Sequence, residues 1–118
     1  MVLWLEGEWL PVQLFSDGKP MPNEWLARGS RSMKGNELRV VFGGQTMVHA
    51  RVRVDETTMP RPIDYFDLRA GSKGTVSHGI LEWIGDEVRI LMAPAGAVRP
   101  TSFTDAPQAG TLSRWRRC

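Results

Sequence analysis

Cysteine is nearly missing from this chain: Cys118 is the only one among 118 residues. No internal disulfide can form, and a chain of this length can bury a core without one. The same scarcity fits a reducing compartment. The chain as given reads as cytoplasmic, because its opening "MVLWLEGEW" is short, acidic and without the basic start of a signal peptide. A longer secreted parent remains compatible with these residues. No apolar run approaches the ~20 residues of a membrane-spanning helix, so no membrane partner is expected. A large excess of either charge is missing too. Fifteen cations, twelve of them arginine, are interleaved with thirteen acids for a net charge of +2. A nucleic-acid binder concentrates its cations on one face, so none is expected as a partner.

Catalytic and metal motifs are equally sparse. There are two histidines, His49 and His78, on different predicted strands, with no HxH or HExxH spacing and no cysteine partner, so no metal site is expected. No G-x-S-x-G elbow occurs. Ser77 and His78 are neighbours on opposite faces of a predicted strand and cannot form a dyad directly. "GGQT" and "GSKGT" carry hairpin glycines without the following helix that a phosphate cradle needs, and no cofactor is implied.

What the chain does have is short runs of period-two patterning broken by Gly, Asn, Asp and Pro. Residues 5–15 form the first, ended by the Asp17-Gly18 turn. "MPNEWLARG" reads as one short helix over 23–28, capped by Asn23, with Glu24 against the dipole and Gly29 after its end. Three strands follow, joined at Lys34-Gly35-Asn36 and Gly43-Gly44. In them Leu38, Val40 and Phe42 share one face, as do Val48, Ala50, Val52 and Val54. Met47, His49, Arg51 and Arg53 share the opposite face. After a proline-bounded loop come "IDYFDL", "TVSHGILEWI" and "VRILM", then a long Pro/Gly/Ala-rich loop at 94–110 packed by Phe103, and a last strand "TLSRWRR". About eight antiparallel strands with short links predict a single all-β domain over 1–118. The expected form is an up-and-down barrel, since closure removes unpaired edges, with the helix near one mouth.

Gly7-Glu8-Trp9 on the first strand resembles the Gly-x-Trp of the calycin group, whose lipocalin-like barrels close their base with an arginine laid over that tryptophan. Arg114, Arg116 or Arg117 is the counterpart that the resemblance implies. More of the chain resembles a family of uncharacterised lipocalin-like domains of planctomycete-type bacteria. The matching pieces are "LEGEW" (5–9), "DGKPMP" (17–22), "MKGNEL" (33–38), "RPIDYFDL" (61–68), "GILEWIGDEVRILMAPAG" (79–96), "RPTSF" (99–103) and "SRWRR" (113–117). His78 and the basic "TMVHARVRV" depart from that pattern. The resemblance implies the barrel and carries no activity.

Three functional readings follow. The first is a binding module holding a small apolar, amphipathic or glycan ligand in the barrel mouth. Trp9, Trp83 and Tyr65 would be its aromatic walls, with Arg51, Arg53 or His49 as polar anchors. The second is a small hydrolase, promiscuous and glycosidase- or esterase-like, drawing acid and base at the mouth from His78, Glu82, Asp64 and His49. Glu82 would need the inward face of its strand, for which Leu81 and Trp83 compete; the bland alternative is a carboxylate paired with arginine on the exterior. The third is a structural or protein-interaction domain using the 94–110 loop.

Overall fold

The computed structural model describes residues 3–71, 74–103 and 110–118. A 3-10 turn at Leu3–Leu5 leads into β1 (Gly7–Ser16), a two-residue β2 (Lys19–Pro20) and helix α1 (Asn23–Leu26). The rest is a meander: β3 (Gly29–Lys34), β4 (Glu37–Phe42), β5 (Gln45–Val54), β6 (Arg61–Asp67), β7 (Val76–Ile84), β8 (Glu87–Met92) and β9 (Thr111–Arg117). Each of β3 to β9 pairs antiparallel with the next, and β9 pairs back onto β1, closing an eight-stranded barrel with β2 as an extra strand on β1. The expected all-β up-and-down barrel is therefore the observed fold, and its core is the single cluster of inward side chains.

Alternation explains most of that core. Leu38, Val40 and Phe42 of β4 are buried in it, as are Val52 of β5 and Ile63 of β6. On β1, Trp9 and Leu14 both point inward although strict alternation would separate residues five apart. The register with β9 slips between Pro11 and Gln13, and this bulge at Val12 restores the phase. A second bulge lies between Val40 and Val41, where β5 offers one residue more than β4 and leaves Met47 unpaired at the rim.

The helix differs from expectation in length and cap. It ends at Leu26, Pro22 occupies the N-cap position, and no side chain caps it, so Asn23 lies inside the helix. Trp25 stays half exposed and packs beside Gly43, where an added Cβ would come 2.8 Å from the indole. The helix thus flanks the barrel at the β4–β5 turn. The carboxyl end is tied down: the Cys118 amide donates to the Glu8 carbonyl at 3.0 Å. No helix among the described residues is long and apolar enough to cross a membrane.

The two barrel ends are unlike. At one end Trp9 is 1% exposed, its indole N–H donates to the Leu5 carbonyl at 3.1 Å, and the Arg117 guanidinium lies 4.2 Å over its ring. Trp83 stands 6.0 Å from Trp9 and 5.4 Å from Trp4, measured between ring centroids. Arg117 also donates to the carbonyls of Glu6 and Trp4. Gly7 carries a φ of 114°, and a Cβ there would meet Arg117 at 3.1 Å, so the first strand can pass under the arginine only as glycine. This is the closed base, and Arg117 is the arginine that seals it.

Candidate functional site

The other end is open because β1 pairs with β3 only over Gly7–Trp9. Beyond that point the chain between them runs out through β2 and α1, and a cavity of about 460 Å³ lies inside. Leu14, Met21, Val40, Phe42, Met92 and Trp115 give it apolar walls, while Asp17, Met47 and Pro94 stand at the rim. A volume of this size falls within the range of small-molecule sites. Its lining is mostly apolar, with a few polar groups: Tyr65, Ser77, Thr111, Ser113 and Arg31.

Arg31 is the unusual member. It sits in the middle of β3 on the inward face, between Gly29 and Met33, and is 2% exposed. In register it lies between Trp9 and Val40, at the level where the packed base ends and the cavity begins. One terminal nitrogen donates to the Tyr65 hydroxyl at 2.9 Å, and the other, Nη2, is buried without a hydrogen-bond partner among the described residues. The guanidinium carbon lies 5.7 Å from the Tyr65 ring centroid and 5.6 Å from that of Trp115. The neighbouring Ser113 hydroxyl is taken by the Trp115 indole N–H at 2.8 Å.

Of the proposed aromatic walls, only Tyr65 reaches this cavity. Trp9 and Trp83 belong to the closed base, on the far side of the Arg31 layer. The polar anchors are also displaced. His49, Arg51 and Arg53 lie on the outer face of β5, because Val48, Ala50 and Val52 claim the inner one. His49 bonds Glu37 at 2.7 Å, and that hydrogen bond holds the Glu37 carboxyl below its ordinary value.

None of the four acid–base candidates lines the cavity. Leu81 wins the inward face of β7, so Glu82 points outward and pairs with Arg89, as the bland reading has it. His78 and Asp64 do meet, at 2.6 Å, but on the outer face of β6–β7. There Asp64 also accepts hydrogen bonds from Arg53 at 3.0 Å and Arg99 at 2.7 Å. Burial pushes the Asp64 carboxyl up, but the hydrogen bonds from His78, Arg99 and Arg53 override it and hold it below the usual range. Arg99 further donates to the carbonyls of Ile63 and Gly79.

This cluster clamps the segment after β8. Phe103 lies under the Arg89 guanidinium at 4.1 Å, and the Gly96 amide reaches the Val76 carbonyl. Ile80 and Leu91, register partners on the outer face, are buried although they lie outside the core cluster. The long loop thus acts as a strap over a second, external apolar patch, with Phe103 packed as expected. The part of the loop at 104–109 lies outside the described residues. Among the described residues no three His, Cys, Asp or Glu side chains group as metal ligands, and His49 and His78 each have a carboxylate partner of their own.

Arg31 escaped the sequence reading. The available signal was phase: alternating from Gly29 to Met33 places an arginine on the same face as two residues that a packed strand would bury. No family model matches the chain, and neither a curated protein nor a solved structure does, so what it can do is read from its own residues.

Proposed function

We propose that the protein is a binding module that takes a small, mainly apolar molecule into the open end of its barrel. The observation that carries this reading is the cavity of about 460 Å³, walled by Leu14, Phe42, Met92 and Trp115 and stopped by the packed base below. A barrel of eight strands has room either to fill with its own side chains or to hold one small ligand. Here the lower half takes the first course and the upper half the second. Methionines at 21, 47 and 92 around the void suit an adaptable apolar surface, because the unbranched thioether repacks at little cost.

N-phenyl-1-naphthylamine, a neutral fluorophore that brightens in apolar surroundings, is the direct probe. Saturable enhancement is expected in the parent protein. Ser77 lines the cavity on the inward face of β7, opposite Tyr65 in register. Ser77→Leu fills space there with apolar atoms and should weaken probe binding about tenfold while leaving thermal stability unchanged or raised. No saturable enhancement in the parent, or equal affinity in the filled variant, would reject the mouth as the binding site.

A further inference from the structure

We infer that the cavity's ligand carries an anionic head, a carboxylate, that completes the hydrogen bonding of Arg31, with its apolar body directed toward the mouth. The inference rests on the binding reading above and adds the chemical class of the ligand. Guanidinium groups do not discharge inside proteins, and a buried cation is costly unless it is paired and hydrogen-bonded. Arg31 is 2% exposed, and its one hydrogen bond goes to the neutral hydroxyl of Tyr65. Among the described residues no carboxylate lies within ion-pair distance of it, although eight such pairs form elsewhere. Two other guanidiniums have a buried, unbonded nitrogen, Arg61 and Arg89, but both residues are partly exposed.

The ring faces of Tyr65 and Trp115 give Arg31 partial compensation and hold its plane in place. They leave Nη2, a donor on a fixed fork, without an acceptor in a cavity-lining side chain. A planar carboxylate matches that fork, accepting from the guanidinium with the Tyr65 hydroxyl beside it. The void holds on the order of fifteen non-hydrogen atoms at the ~30 Å³ that each water occupies in the liquid. An unbranched carboxylate of about ten carbons, or an aryl carboxylate of that size, fits both the volume and the passage from charged floor to apolar walls.

Decanoate, decan-1-ol and decylamine share a chain and differ in the head. Calorimetric titration of the parent should give decanoate an affinity about 10- to 100-fold above decan-1-ol, the range of a hydrogen bond to a charged group, with decylamine weakest. Arg31→Met should erase the preference for decanoate, bringing its affinity down to that of decan-1-ol or below. It should also melt above the parent without ligand, because an unpaired buried charge is gone; a merely structural arginine would lower the melting point. Should that variant not fold, Arg31→Gln, which keeps a polar stem without charge, carries the same comparison. Equal affinities for decanoate and decan-1-ol in the parent overturn the anionic head and leave the apolar site standing. No binding of any of the three overturns both. A decanoate preference that survives the loss of Arg31 assigns the head elsewhere and overturns the inference.

Discussion

Trp9→Ala is expected to destabilise the protein by about 3–5 kcal/mol, the range for truncating a fully buried aromatic. Trp9 is the largest of the fully buried side chains. Its removal empties the base between Trp83 and the Arg117 guanidinium and leaves the Leu5 carbonyl without its donor. Arg117 loses its stacking partner at the same time, so the two residues should be coupled. Arg117→Ala alone should cost about 1–2 kcal/mol, since a partly exposed cation–π contact is worth less than a filled core. In the double variant the losses should sum to less than the separate values, because the stacking term is lost only once. Urea unfolding of the three variants measures this. A Trp9→Ala protein as stable as the parent would refute closure of the base by this residue. Because the cavity lies on the other side of the Arg31 layer, binding by folded Arg117→Ala should stay at the parent level.

Asp64→Asn should be the most damaging change outside the barrel interior, at about 2–4 kcal/mol near neutral pH. Breaking a buried ion pair costs about 3–5 kcal/mol. Arg53 is 70% exposed, and its share is discounted for solvent screening. Asparagine leaves the guanidiniums of Arg53 and Arg99, and the His78 ring, facing a neutral amide. The sign of the pH dependence follows from the depressed carboxyl. Its folded pKa lies below its unfolded value near 3.8, so its contribution is complete above that value. It is lost as pH falls through the folded pKa. The gap in unfolding free energy between parent and Asp64→Asn should therefore shrink as pH falls below about 4. A gap independent of pH down to the acid limit would mean that the carboxylate charge is not what holds the strap. Loosening of the strap should also appear as faster proteolysis between Ala93 and Phe103, where Arg99 no longer anchors the segment.

Most of the strands were legible because each has one face that water can accept. Leu38, Val40 and Phe42 alternate with Glu37, Arg39 and the half-buried Val41, and Val48, Ala50 and Val52 alternate with His49, Arg51 and Arg53. Turn chemistry at Asp17-Gly18, Lys34-Gly35-Asn36 and Gly85-Asp86 then set the meander, and a meander of eight strands with short links closes readily. The opening Gly7-Glu8-Trp9 and the closing arginines were linked in the sequence only through the resemblance to calycin barrels; in the structure Arg117 lies over the Trp9 ring.

The candidate site was much less legible, and β7 shows why. "TVSHGILEWI" is apolar on both faces, so period two does not say which is inside. The strap decides it. Arg99 and Gly96 bind it to the outer side of β6–β7, where Ile80 is buried, while the opposite face, with Leu81, joins the core and His78 and Glu82 point outward. Gly79 shows how tight that arrangement is: a Cβ there would lie 2.4 Å from the Leu91 carbonyl oxygen. The aromatic residues carried a similar ambiguity. Trp9 and Trp83 offer the same chemistry as Tyr65, but only their height along the barrel separates a base from a cavity wall.

The sequence by itself determined an all-β meander, its turns and the apolar faces of most strands. These rest on local backbone preference and on alternation, both written in neighbouring residues. Only the tertiary structure decided which end is packed and which is hollow, where the acid–base candidates point, and that Arg31 lies buried beneath an open cavity. Those outcomes depend on two bulges, on a short β1–β3 pairing and on a strap returning from after β8. Each is a long-range fit whose energy belongs to residues far apart in the chain, and no window along the sequence contains both halves of it.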